Sequence, residues 1–204
     1  MEKFTVHTGT AAPLRRSNVD TDQIIPVRFC ASTTRDGHAD ALFADWRGDD
    51  PSFVLNQPQH AKATVLIAGN DFGTGSSREY AVWALQDYGF KVVIAPRYGD
   101  IFRGNSLMNG LLTVQLPLAT VEELWETVES APETQVTVDL ERLEVRCADR
   151  VHPFTLDEDA RDRMLAGLDA IAATLLHEEA IAAYERGRRP ALPTTVAAAV
   201  APGR

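Results

Sequence analysis

Apolar positions in the middle of this chain follow two rhythms in turn. Ala63-Thr64-Val65-Leu66-Ile67-Ala68 and Phe90-Lys91-Val92-Val93-Ile94-Ala95 are short, β-branched and nearly continuous, the pattern of strands buried on both faces. Between them, Tyr80–Tyr88 sets Ala81, Ala84, Leu85 and Tyr88 at helical spacing, and Gly89 stops the run. Strand, helix and strand predict a βαβ unit with parallel strands and a right-handed crossover. Leu111–Leu116 adds a third strand, and Thr120 with Glu123 has capping-box spacing that opens a helix to Ser130. Gln135–Leu140 and Leu143–Cys147 alternate around Glu141-Arg142 and predict a hairpin, with a further strand at Val151–Thr155. Leu156–Leu176 reads as the longest helix, with Met164, Leu165, Leu168, Ile171, Ala172 and Leu175 on its stripe. His177–Arg186 continues it or forms another turn.

The remaining stretches are less regular. Residues 3–7 alternate as an edge strand would. Asn18-Val19-Asp20-Thr21-Asp22-Gln23-Ile24-Ile25-Pro26 reads as an Asx-rich turn leading into an extended segment before the proline. Its Asn18, Asp20 and Asp22 spacing superficially suggests a calcium loop, but the later glycine and glutamate of that pattern are missing. Residues 27–60 are polar and irregular, with Phe43 and Trp46 placed to anchor a long loop, and connections of this length are usually functional or mobile. Residues 187–204, basic and then rich in proline and alanine, read as a loose tail. The expectation is an α/β fold with a central βαβ unit, one domain over residues 1–186, and no internal repeat.

Composition narrows the partners more than the fold. The chain has 204 residues, 45% hydrophobic and 24% charged, which is ordinary for a globular domain. A net charge of −9 argues against a nucleic-acid partner, so an anionic ligand would need locally placed cations. Cys30 and Cys147 match neither a metal spacing nor a disulfide framework, and a reducing cytoplasm is the default reading. The histidines at 7, 38, 60, 152 and 177 are dispersed, so no metal site is expected. No run approaches the ~18 apolar residues of a membrane span.

Chemistry concentrates between the first strand and helix of the βαβ unit, in Gly69-Asn70-Asp71-Phe72-Gly73-Thr74-Gly75-Ser76-Ser77-Arg78-Glu79-Tyr80. Glycines permit tight turns and close backbone approach, and a helix N-terminus offers free N–H groups to an anion. Three readings compete. A nucleotide cradle lacks the P-loop lysine and the third glycine and distal acid of a dinucleotide site. A purely structural reading makes Ser76 an N-cap and Glu79 its capping-box partner. An anion and proton-transfer site uses Arg78 as a bidentate carboxylate fork and a serine hydroxyl made basic in a dry, positively charged site.

The segments Asp71–Glu79, Asn18–Pro26 and Gly99-Asp100-Ile101-Phe102-Arg103-Gly104-Asn105 together resemble the small subunit of 3-isopropylmalate dehydratase, the leucine-pathway member of the aconitase superfamily. The resemblance extends from the N-terminus to about residue 186 and implies the swivelling β/β/α domain that corresponds to the mobile fourth domain of aconitase. It implies isomerisation of 2-isopropylmalate to 3-isopropylmalate by dehydration and rehydration through a bound alkene. It also implies a separate large subunit, in a heterodimer or a dimer of heterodimers, with a [4Fe–4S] cluster whose open iron acts as a Lewis acid. Ser76 resembles the base that removes a substrate proton, and Arg78 the carboxylate clamp. Ser77, Gly75 and Asp22 would help bind the dicarboxylate. The superfamily's further arginine has two candidates, Arg28 and Arg35. Two positions depart from the family pattern. Tyr80 stands where a histidine commonly follows, and Phe29–Arg35 lacks the basic and bulky residues of a loop associated with the substrate side chain. The second departure leaves open a paralogous hydro-lyase subunit acting on another 2-substituted malate. The rival from another class is a non-catalytic anion-binding module.

Overall fold

The computed structural model describes residues 1–31 and 34–189. Its central strand is one that the polar rhythm of the N-terminus conceals. β1 (Val6–Leu14) pairs on both sides, whereas residues 3–7 had suggested an edge strand. Thr8, Gly9, Thr10 and Pro13 interrupt its apolar pattern. Gly9 is there for space, since a Cβ would strike Thr64 Oγ1.

From β1 the chain passes through α1 (Thr21–Ile24) and α2 (Ala44–Asp49) to β2 (Val65–Ala68). It continues as α3 (Glu79–Tyr88), β3 (Val92–Ala95), α4 (Asp100–Asn109), β4 (Leu112–Gln115) and α5 (Leu118–Ser130). β5 (Gln135–Asp139), β6 (Glu144–Cys147) and β7 (Arg150–Pro153) form a meander, followed by α6 (Glu158–Ala166), α7 (Ala170–Leu175) and α8 (Glu178–Gly187). Among the described residues, seven strands join one sheet in the order β4-β3-β2-β1-β5-β6-β7. The β1–β4 half is parallel and the β5–β7 half antiparallel. The predicted βαβ unit forms with Val65 opposite Val92 and Ile67 opposite Ile94.

Both faces of the parallel half are covered, which is why its strands read as continuous apolar runs. Leu66, Ala68, Val93 and Ala95 pack with Phe43, Phe72, Ala81 and Leu85 on one face. Val65, Ile67, Val92 and Ile94 pack with Val114, Val121 and Trp125 on the other. The described residues of the long connection 27–60 hold three 3-10 turns and α2, and Phe43 stacks on Trp46 at 5.4 Å to anchor it to the first core.

Two expected helices change, and one that was not expected appears. α4 occupies residues for which no element was expected, burying Phe102, Ser106 and Leu107. α5 starts at Leu118 behind Pro117, so Thr120 lies inside it and the Thr120–Glu123 capping box does not form. The helix expected over Leu156–Leu176 breaks at Gly167, whose left-handed φ of 71° lets its N–H cap Arg163 and Met164 carbonyls. The described residues group into two units, Met1–Asp169 and Ala170 onward, so the domain read over 1–186 spans all of the first and part of the second. Of the tail read over 187–204, residues 190–204 lie outside the described residues.

Tyr98, just past β3, ties two strands together. Its buried hydroxyl lies 2.8 Å from the Val93 carbonyl and 2.7 Å from the Val114 carbonyl, with one proton to donate. Burial pushes its pKa well above the ordinary tyrosine value. The unfolded chain therefore loses this proton first, near pH 10, and stability falls as pH rises beyond that point. Tyr98→Phe should lower unfolding stability by about 1–3 kcal/mol near neutrality. It should also flatten the decline above pH 10, which urea melts at the two pH values will show.

Candidate active site

Three loops meet at the C-terminal edge of the parallel strands, where open α/β sheets place their ligands. The exits of β1 and β2 run side by side: Gly69 N–H donates to Arg16 O (3.0 Å) and Asn18 N–H to Asn70 O (2.7 Å). The pairing continues with Gly73 N–H to Val19 O (2.7 Å), Thr21 N–H to Thr74 O (2.9 Å) and a parallel bridge between Asp20 and Thr74. On the other side, Phe72 N–H donates to Arg97 O (3.1 Å) and Gly99 N–H to Phe72 O (2.9 Å). This second seam requires glycine. A Cβ on Gly99 would strike the Gly73 carbonyl, and one on Gly73, at φ 76°, would enter the Phe102 ring.

The Asn18–Pro26 segment is not the extended passage expected after its turn. Asp20 caps α1, accepting from Gln23 N–H at 2.8 Å while Gln23 Oε1 accepts from Asp20 N–H at 2.9 Å. After that turn only Ile25 and Pro26 are extended within the segment. This helical turn points exposed Asp22 toward α3, where it forms an ion pair with Arg78. It also buries Thr21, whose hydroxyl donates to the Ser76 carbonyl at 3.0 Å.

The Ser76–Glu79 capping box does not form either. The N-cap of α3 is Arg78, which makes no side-chain cap, and Glu79 Oε1 instead accepts from Asn109 Nδ2 at 2.7 Å. Gly75 at φ 89° and the Ser76 carbonyl, held by Thr21 and by Arg78 N–H (2.8 Å), keep residues 76–78 out of the helix. Ser76 and Ser77 therefore stand exposed just ahead of the α3 N-terminus.

The structure brings Asp22, Gly75, Ser76, Ser77 and Arg78 together. Arg78 is 23% exposed and meets Asp22 through one terminal nitrogen, Nη1. Cys30 lies close enough to feel both charges, although burial is what chiefly raises its thiol pKa. Arg28 is held by Asp45 and Arg35 lies over the Trp83 ring, 5.7 Å from its centroid. Sequence reasoning missed Thr21 and the Arg97–Asp71 ion pair, which joins the β3–α4 loop to the glycine loop. The Asp20–Gln23 capping spacing was the available signal for α1, and thus for Thr21. A fork with open donors, two hydroxyls and a helix N-terminus suit a small carboxylate. They do not suit an iron–sulfur cluster. Cys30 and Cys147 lie in cores on opposite faces of the sheet, and among the described residues no group of three or more His, Cys, Asp or Glu could hold a metal ion.

This sheet, with its loop at the parallel edge, defines an aconitase-type domain: the model of the Aconitase C-terminal domain matches residues 1–119. The LeuD_N model matches residues 122–158, and the model of the C-terminal domain of the 3-isopropylmalate dehydratase small subunit matches residues 171–198. The chain is 62% identical over 195 residues to the 3-isopropylmalate dehydratase small subunit of Thermobifida fusca, covering 96% of this chain and 100% of that protein. Its identity to the small subunit of Streptomyces coelicolor is 61% over 196 residues, or 96% and 99% of the two chains. Among solved structures, 3-isopropylmalate dehydratase of Methanocaldococcus jannaschii superposes with a TM-score of 0.65 at 26% identity, covering 88% of this chain and 99% of the other. The chain belongs to the 3-isopropylmalate dehydratase small-subunit family.

Proposed function

We propose that this chain is the proton-handling small subunit of 3-isopropylmalate dehydratase, a hydro-lyase of leucine biosynthesis. It works with a large subunit that bears a [4Fe–4S] cluster, in a heterodimer or a dimer of heterodimers. The observation that carries this reading is the fixed loop in which Ser76, Ser77 and Arg78 share one edge of the sheet, fastened by Thr21 and Asp22. Its setting is a chain about 60% identical to named small subunits over nearly its whole length. No described helix is long and apolar enough to cross a membrane, and we place the enzyme in the cytoplasm.

In this reading Arg78 grips one substrate carboxylate, while Ser77 and the Gly75 backbone orient it. Ser76 Oγ, as the alkoxide, takes the carbon-bound proton next to a carboxylate. The electron pair of that C–H bond forms C=C as the neighbouring carbon releases its hydroxyl as hydroxide, for which the large subunit's cluster would supply a Lewis acid. The C=C bond that forms is the bound alkene. Ser76 then returns a proton to carbon in the rehydration that places the hydroxyl on the other carbon. Asp22 holds the guanidinium in position. An exposed serine in water is a poor base. Its activation requires that the partner exclude water, leaving the Arg78 charge and the α3 N-terminus to stabilise the alkoxide.

Reconstitution tests the proposal. The chain with its large subunit should turn over 2-isopropylmalate with the highest kcat/KM in a panel of 2-substituted malates, and the chain alone should be inactive. Preference for another side chain would overturn the substrate assignment. Turnover by the chain alone would overturn the division of labour.

A further inference from the structure

Among its described residues, the second unit shows no buried side chain in either helix. α7 has six residues and α8 ten. Ile171, Leu175, Leu176 and Tyr184 are 72%, 57%, 68% and 69% exposed, and Ile181 is also open. Ile171 with Leu175, and Ile181 with Tyr184, sit at the i,i+4 and i,i+3 spacings of apolar stripes. Isolated helices shorter than ~12–15 residues are marginal in water, so two this short need an apolar surface to hold them.

We infer that the α7–α8 stripe docks into an apolar groove of the large subunit, an inference that rests on the proposed function. Two observations select that occupant. The C-terminal domain model of the small subunits begins at residue 171, next to the boundary at Ala170, so this segment is a unit of a protein class defined by having a second, different chain. A second copy of the chain is a poorer fit. A stable interface engages roughly 20–30 residues a side, far more than this stripe holds. The stripe is adequate as an addition to a contact that the shared active site already requires. The recognition mode is an amphipathic helix laid in a groove.

The experiment titrates full-length chain into a fixed amount of purified large subunit and reads turnover of 2-isopropylmalate. The Leu175→Asp/Tyr184→Asp double variant should raise the half-saturating concentration about tenfold or more, with turnover at saturation and the melting temperature of the free chain unchanged. Glu179→Ala, a polar change on the same unit, should leave the titration unmoved. A double variant that titrates like the wild type overturns the inference while leaving the function intact. So does a free chain that sediments as a dimer and becomes monomeric in the double variant, because a second copy then covers the stripe. A lower melting temperature of the free double variant with an unmoved titration assigns the stripe to contacts within the chain, again overturning it. A wild-type chain that forms no active complex at any concentration overturns the proposed function and this inference together.

Discussion

Ser76→Ala should reduce kcat of the reconstituted enzyme by about a thousandfold or more, near the upper part of the range for a positioned acid–base group. KM and assembly with the large subunit should stay close to wild type. The side chain is exposed and the main chain is held independently of it, through the Ser76 carbonyl that accepts from Thr21 and from Arg78 N–H. Removing one oxygen therefore leaves the loop in place, and a surface change of this kind usually alters stability by no more than about 0.5 kcal/mol. A loss in kcat alone marks an interaction made on the way to the transition state, not one used to hold substrate. Ser77→Ala serves as the comparison and should act mainly on KM. Near-wild-type turnover of Ser76→Ala in a fully assembled complex would remove the serine from proton transfer.

How far the chain was legible depended on the range of the determining interactions. β2, α3 and β3 were readable because burial on both faces, or along one stripe, writes a local period. β1 was not, since its central place is set by pairing with residues more than fifty positions away, and it tolerates threonines and a glycine that blur the pattern. Both capping boxes failed for one reason. Ser76–Glu79 and Thr120–Glu123 have the right spacing, but where each helix starts is fixed elsewhere, by the seam that holds Gly73–Ser76 in one case and by Pro117 in the other. The same limit applies to the candidate site. The glycine loop and Asp22 were nameable from the chain, whereas Thr21 acts on Ser76 across 55 positions and Arg97 reaches Asp71 across 26. The Asp20–Gln23 spacing marks the helix that carries Thr21, but neither contact itself leaves a mark in the neighbouring sequence.

Arg78→Lys should raise KM about ten- to hundredfold, the equivalent of losing one hydrogen bond between charged groups. The geometry of the Asp22 pair explains why keeping the charge is insufficient. Arg78 reaches Asp22 through Nη1, leaving the rest of its planar fork to take a substrate carboxylate along a second edge. A lysine ammonium is a compact point charge on a flexible stem, and Asp22 competes with the substrate for it. Neutralising the competitor should therefore help the lysine enzyme and not the arginine one. In an Asp22→Asn background, the KM penalty of Arg78→Lys should shrink, whereas Asp22→Asn alone should weaken binding by freeing the guanidinium from its anchor. Additive effects in this double-mutant cycle would mean that Asp22 does not act through Arg78. An unchanged KM in Arg78→Lys would take the guanidinium out of carboxylate binding altogether, leaving the α3 N-terminus and the two serines as the remaining anion contacts on this chain.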